Sequence, residues 1–314
     1  MKKILELKNI YVGNEEIKIL KNINFEVKKG EVLSIVGESG CGKSMTLRTI
    51  IKLLPKNIKI LKGKILFNEL DITEIQDMER IRGKEIGIIF QEPSSYLNPL
   101  FTIGNQIEEA IKNEKSKKLC KEKVFKILQE VGLPENVYYL YPHQLSGGMQ
   151  QRAMIAMAIV NNPFLLLADE PTTALDVTTA LGIINLLKNL VATHNLSVIF
   201  VTHDISLARF ISDTIIVMYA GFIIEKGTSE EIYNQPLHPY TKKLINCLPE
   251  KYRKRERILT IEGEVPSLKN LPSGCPFSNR CDFKIDICEK YLPGEIKFEN
   301  RIVRCFKYGN IVES

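Results

Sequence analysis

No apolar stretch in this chain approaches the roughly 20 residues that a membrane-spanning helix needs. The opening segment, MKKILELKNIYV, has no apolar run of the secretory type and no small-residue cleavage site. A cytoplasmic location is therefore expected, with cysteines reduced or metal-bound rather than paired as disulfides. None of the seven cysteines forms a Cys-x2–4-Cys pair, the spacing usual for a structural zinc knuckle. Internal repeats and low-complexity segments are also missing, which excludes solenoids and biased tails. The net charge of +6 is mild for 314 residues. Its one dense basic run, Lys251 to Arg257 (KYRKRER), has no pattern of interleaved aromatics for stacking bases, so a solvated helix or linker is expected there rather than a nucleic-acid patch. Apolar content of 44% and charge of 25% are ordinary for a globular protein. The length allows one large domain, or a domain with an appendage.

Several segments have clear periodicity. Glu31 to Gly37 (EVLSIVG) reads as a short buried strand ending in glycine, and KSMTLRTIIKLL after it as a helix that stops before Pro55. Ser116 to Leu133 places Leu119, Val124, Ile127, Leu128 and Val131 on one helical stripe. Met149 to Asn162 is an apolar helix ended by Pro163. FLLLADE and LSVIFVTHD are continuous apolar strands with polar ends. Such strands separated by helices predict a parallel sheet covered on both faces. Beyond about Pro236 the chain turns rich in Pro, Gly, Cys and Lys, which suggests a separate appendage.

The chemistry begins at Gly37, Glu38, Ser39, Gly40, Cys41, Gly42, Lys43 and Ser44 (GESGCGKS), which fit G-x-x-x-x-G-K-[ST] between a strand and a helix. Glycines let the backbone curl so that successive N–H groups face phosphate oxygens, and the helix N-terminus adds a favourable dipole. Lys43 would reach the β- and γ-phosphates of ATP, and the Ser44 hydroxyl would bind Mg2+. Cys41 is expected to be a small residue without chemistry. FLLLADEP then delivers two adjacent acids at a strand end, where ligands bind in parallel sheets. In a regular strand they would face opposite ways and do different work: Asp169 in the Mg2+ shell, Glu170 polarising an attacking water. Ser146, Gly147 and Gly148 in LSGGMQQR open a helix and make a second anion-binding N-terminus. One ATP does not need two phosphate cradles from one subunit; two cradles suit an ATP held between subunits.

These three motifs, in the chain order GESGCGKS, LSGGMQQR and LLLADEPTTALD, resemble the ATP-binding-cassette (ABC) family over residues 3 to 235. The resemblance implies an α/β fold of the P-loop ABC ATPase kind: a RecA-like core with a mixed sheet, an antiparallel β-subdomain and a helical signature subdomain at about residues 92–160. It implies that Gln91 in IIFQEP is the Q-loop glutamine, touching Mg2+ and linking the site to a transmembrane partner. It also implies that Ser146, Gly147 and Gly148 cap the other subunit's ATP, that Ala174 to Asp176 form the loop at the dimer seam, and that His203 contacts the γ-phosphate. His143, His194 and His238 are expected to be structural. The aromatic that usually stacks on adenine is not at its expected position, near Asn14; Tyr11, three residues earlier, is the nearest candidate but would face the other side of a regular strand, so stacking and packing both stay open for it.

Met218 to Pro249, with PLHPYT, and the stretch IEGEVPSLKNLPSGCPF resemble the oligopeptide, dipeptide and nickel importers of that family. This implies an ATPase subunit at the cytoplasmic face of the membrane. Its partners would be a paralogous ATPase subunit (a homodimer in isolation is the alternative), two permease subunits and an external substrate-binding protein, with no nucleic acid. Peptides are the expected cargo, nickel or a metal chelate the alternative; a soluble ABC ATPase acting on DNA or ribosomes, and an iron–sulfur redox protein, are the competing classes. The boundary between cassette and extension is expected at 235/236. Cys275, Cys281, Cys288 and Cys305 lie in that extension, and their loose spacing suits a four-thiolate iron–sulfur site better than zinc. The resemblance implies a [4Fe–4S] cluster there; zinc and free thiols stay open. Cys120 and Cys247 are expected to be packing residues.

Overall fold

The computed structural model describes residues 2–111, 116–249, 260–309 and 312. The basic run at 251–257 lies outside them. The chain divides into two compact units. One comprises Met1–Ile4, Val27–Glu31 and Glu74–Phe200; the other comprises Leu5–Glu26, Val32–Thr73 and Val201–Ser314.

In the first unit, strand Ile86–Ile89 pairs in parallel with Leu165–Asp169, Ile86 opposite Leu165. Ser197–Thr202 lies next in order. All five residues of Leu165–Asp169 are buried, the mark of a strand covered on both faces. The helices of this unit carry the sequence periodicity. Lys117–Glu130 starts at Ser116, whose side chain accepts a hydrogen bond from Leu119 N. Val124, Ile127, Leu128 and Val131 are buried as expected. Leu119, placed on the same stripe by the sequence, is instead 46% exposed. At 3.6 residues per turn it lies about 130° around the helix from the middle of that stripe. Gly147–Ile159 is buried nearly all round, which explains its apolar sequence.

In the second unit, Val32–Val36 runs parallel to Thr214–Tyr219. A two-residue turn, Ala220 and Gly221, both with positive φ, returns the chain as the antiparallel strand Phe222–Thr228. Arg301–Val303 then pairs with Phe222–Thr228, and Ile296–Phe298 with Arg301–Val303. The C-terminal residues thus widen the sheet that carries the phosphate loop. They also supply a core residue: Phe277, 1% exposed, joins a cluster with Tyr219, Phe222, Ile232 and Tyr240. A second, antiparallel sheet has the order Lys18–Lys28, Lys3–Gly13, Lys59–Phe67, Leu70–Asp71.

Lys3–Gly13 is not regular: its register shifts between Lys8 and Tyr11 and again between Tyr11 and Val12. The alternation used to place Tyr11 therefore does not apply to it. Tyr11 carries the Lys62 ammonium 5.8 Å from its ring centroid. The Asn14 side chain is taken up in a turn, accepting from Glu16 N and Ile17 N. Opposite the bulge stands Gly63, at φ 105°; a Cβ there would meet Asn9 O at 2.4 Å and Lys8 O at 2.5 Å. Gly63→Ala is expected to lower stability by about 1–3 kcal/mol in chemical denaturation, because backbone atoms cannot yield as side chains do.

Candidate nucleotide site

The phosphate loop is built from its lysine outward. Lys43 opens the helix Lys43–Ile50 and is 5% exposed. Its ammonium donates to the carbonyls of Gly37 (2.8 Å) and Glu38 (3.0 Å), so the loop curls around its own cation. Gly42 before it adopts φ 109°. The hairpin at 214–228 holds the loop from behind. Gly221 N donates to Cys41 O at 3.0 Å, and a Cβ on Gly37 would meet Met218 O at 2.3 Å. Cys41 is fully buried, and burial pushes its thiol pKa up, in line with a packing role. Ser39 and Gly40 at the loop crest are exposed, and Ser44 is half-buried.

Glu38 is held from two sides that sequence reasoning did not foresee. Its N–H donates to the Tyr240 hydroxyl at 3.0 Å. Its carboxylate accepts a forked pair from Arg280, Nη1 to Oε1 at 2.9 Å and Nη2 to Oε2 at 3.1 Å. Tyr240 is the tyrosine of PLHPYT and Arg280 the neighbour of Cys281. The signal available was an arginine directly before a cysteine, in PFSNRC. His203 also belongs to this unit, exposed just after the strand Ser197–Thr202.

The other expected site residues belong to the first unit. Asp169, 5% exposed, ends its strand; Glu170 follows at φ 44°. That left-handed residue breaks the strand alternation, so the two acids differ by burial more than by facing opposite ways. Glu170 Oε2 accepts from Thr173 Oγ1 at 3.0 Å and from Gln91 Nε2 at 3.5 Å, bringing Gln91 and Glu170 together. Ser146 caps Gly147–Ile159, its side chain accepting from Met149 N. Asp176 caps Val177–His194 by accepting from Thr179 N, and also accepts from Thr179 Oγ1 at 2.6 Å. The Thr179 methyl is thereby fixed where a Cβ on Gly148 would lie, 2.5 Å away.

Cys275, Cys281, Cys288 and Cys305 line a single cavity of about 390 Å3, with Phe277 and Phe306 among its walls. Burial pushes the Cys275 thiol up to about 12 and raises Cys281 and Cys305 as well. Among the described residues no group of three or more His, Cys, Asp or Glu could hold a metal ion as placed. His238 also lines this cavity but is committed elsewhere. Its Nδ1 accepts from Tyr240 N, a second hydrogen bond joins it to the Arg304 backbone, and burial lowers its pKa to about 3. It is structural, as expected, whereas His143 is stacked on Tyr141 and His194 Nε2 lies 3.2 Å from Glu130. Cys120 and Cys247 are half-buried.

If the Thr179 methyl is what demands glycine at 148, Gly148→Ala should cost about 1–3 kcal/mol of stability, and Thr179→Ser in the same chain should recover most of it. Denaturation midpoints of the two variants check this.

Residues 20–173 match the ABC transporter family, and residues 224–288 match the C-terminal region of oligopeptide/dipeptide transporters. The dipeptide transport ATP-binding protein DppD of Bacillus subtilis is 41% identical, covering 98% of this chain and 95% of its own length. The oligopeptide transport ATP-binding protein AppD of the same organism is 40% identical, covering 98% of both. Among solved structures, a dimeric ATP-binding cassette in a post-hydrolysis state with ADP and Pi aligns at TM-score 0.64 and 35% identity, over 72% of this chain and 98% of its own. The cbiO1 protein of Clostridium perfringens, part of an ABC transporter complex, aligns at TM-score 0.68 and 28% identity, over 75% of this chain and 92% of its own. This chain belongs to the ABC transporter family of ATP-binding proteins, and its fold is the ABC ATPase fold.

Proposed function

We propose that this chain is the ATP-hydrolysing subunit of an importer of di- or oligopeptides, working at the cytoplasmic face of the membrane. The observation that carries this is identity of about 40% to peptide-transport ATP-binding proteins over nearly the whole length, C-terminal region included. No helix among the described residues is long and apolar enough to cross a membrane, so permease subunits must provide the path. A paralogous ATPase subunit completes each nucleotide site, a pairing supported by the dimeric cassette among the structural relatives. An external binding protein selects the cargo.

The loop Gly37–Ser44 takes the phosphates of ATP. Lys43 exchanges its two carbonyl partners for phosphate oxygens, a swap that keeps its buried ammonium paired. The hydroxyl of Ser44, the carboxylate of Asp169 and the amide oxygen of Gln91 are hard oxygen donors of the type Mg2+ prefers. When bound, Mg2+ neutralises charge that develops on the transferring phosphoryl group. Glu170 draws a proton from the attacking water, Thr173 and Gln91 holding the carboxylate in place. His203 donates to charge on the γ-phosphate. Ser146, Gly147 and Gly148 present a helix N-terminus to the partner's ATP. Residues 1–235 form the cassette and 236–314 the extension proper to this branch.

The four cysteines of the extension hold a [4Fe–4S] cluster. Support comes from their convergence on one cavity lined by aromatic side chains. A cluster would supply positive charge to the thiols of Cys275, Cys281 and Cys305, which burial pushes up. Its role is structural, fastening the extension.

Glu170→Gln should lower turnover at least about 100-fold and accumulate an ATP-bound dimer on size-exclusion chromatography. Full turnover would remove Glu170 as the base. Anaerobic purification should give about four irons and four sulfides per chain with a broad visible band, lost in Cys275→Ser. Zinc alone would mean a structural clip, and neither metal would mean free thiols.

A further inference from the structure

A glutamate in a loop that must bind triphosphate is an electrostatic liability. At contact distances a carboxylate beside a phosphate costs far more in a partly buried site than in bulk water. Glu38 occupies such a position, and the C-terminal extension answers it. Arg280, 8% exposed and 242 residues away in sequence, takes both carboxylate oxygens in a fork. The guanidinium is itself fixed: Nε donates to Glu262 O at 3.0 Å, and Nη1 also donates to Tyr219 OH at 3.2 Å. Tyr240, fully buried, holds the Glu38 N–H through its hydroxyl. Side chain and backbone of one loop residue are thus gripped by two elements outside the cassette motifs. Arg280 is followed directly by Cys281, a wall of the cysteine cavity.

We propose that Arg280 is a positioning residue of the ATP site: it neutralises Glu38 and, with Tyr240, holds the phosphate loop in its binding shape, so that the C-terminal extension sets ATP affinity. The proposal rests on the chain being an ATPase. A forked, charge-assisted pair is stronger than a single hydrogen bond and fixes direction as well as distance. Its loss would free the loop to sample other shapes, whose ordering ATP binding must then bring about. It would also leave the carboxylate to repel the nucleotide.

The test uses the full chain purified anaerobically, with Mg2+-ATP affinity by calorimetry and KM and kcat by phosphate release. Arg280→Met is expected to raise Kd and KM about tenfold, with kcat within about twofold of the parent. The penalty should shrink as salt is raised. In the same background, Glu38→Gln should recover most of the lost affinity, since the repelling charge is gone. A residue that merely fastened the extension would lower the melting temperature, leave KM unmoved and show no such recovery; that pattern overturns the proposal. Should Arg280→Met fail to fold, Arg280→Lys carries the test: it keeps the charge and loses the fork, and a KM equal to the parent's is the contrary result. A parent chain that binds no ATP would overturn the ATPase reading itself, and the positioning role with it.

Discussion

A buried ammonium has to be paired, and the phosphate loop is shaped by that requirement. Lys43 is 5% exposed, and desolvating its charge without partners would be prohibitive. The carbonyls of Gly37 and Glu38 supply the partners, which forces the backbone to turn over the lysine's own head group. That turn presses Gly37 against Met218 O, where no side chain fits, and requires positive φ at Gly42. The hairpin behind it is constrained in turn: the amide of Gly221 reaches Cys41 O from a two-residue turn with positive φ at both positions. Glycine at 37, 42 and 221 is thus a consequence of housing one cation in a place where it can later meet phosphate.

The parts legible in the sequence were those whose cause is local. A glycine-rich loop between strand and helix, a buried strand ending in acids and a serine at a helix N-cap each follow from a few neighbouring residues. Burial of Val124, Ile127, Leu128 and Val131 follows from helical period, and Leu119 fails because it is off phase. What could not be read was set by distant parts of the chain. The bulges around Tyr11 come from pairing with Lys59–Phe67. The φ of 44° at Glu170 belongs to a turn closed by Thr173 N donating to Glu170 O. The fork from Arg280 spans 242 positions, and no window of sequence contains both ends.

The C-terminal extension is placed by charge as much as by apolar packing. Among the described residues, three of its arginines are buried, and each answers a different group. Arg280 takes Glu38. Arg301 takes Glu225, a fully buried carboxylate that also accepts from Leu237 N and His238 N at the entry to Pro239–Asn246. Arg304 donates to Ile223 O and Pro293 O and pairs with Glu295. Apolar contacts, such as Phe277 against Tyr219 and Tyr240, hold the segment down but tolerate small shifts. A guanidinium fork does not, because its hydrogen bonds fail within a few tenths of an ångström and a few tens of degrees.

Buried ion pairs seldom add much net stability, since desolvation offsets their attraction, but a wrong placement leaves a bare charge and is costly. Three such devices in one short extension therefore select its position more than they strengthen it. Two of the three arginines, Arg280 and Arg304, immediately precede cysteines of the cavity, Cys281 and Cys305. Backbone connectivity makes the two sets of constraints inseparable. Where the thiols converge fixes where the two guanidinium groups start, and where that of Arg280 ends fixes Glu38 in the phosphate loop. A rigid cavity wall at Cys281 and a rigid loop at Glu38 are the two ends of one short lever, with Arg280 as its arm.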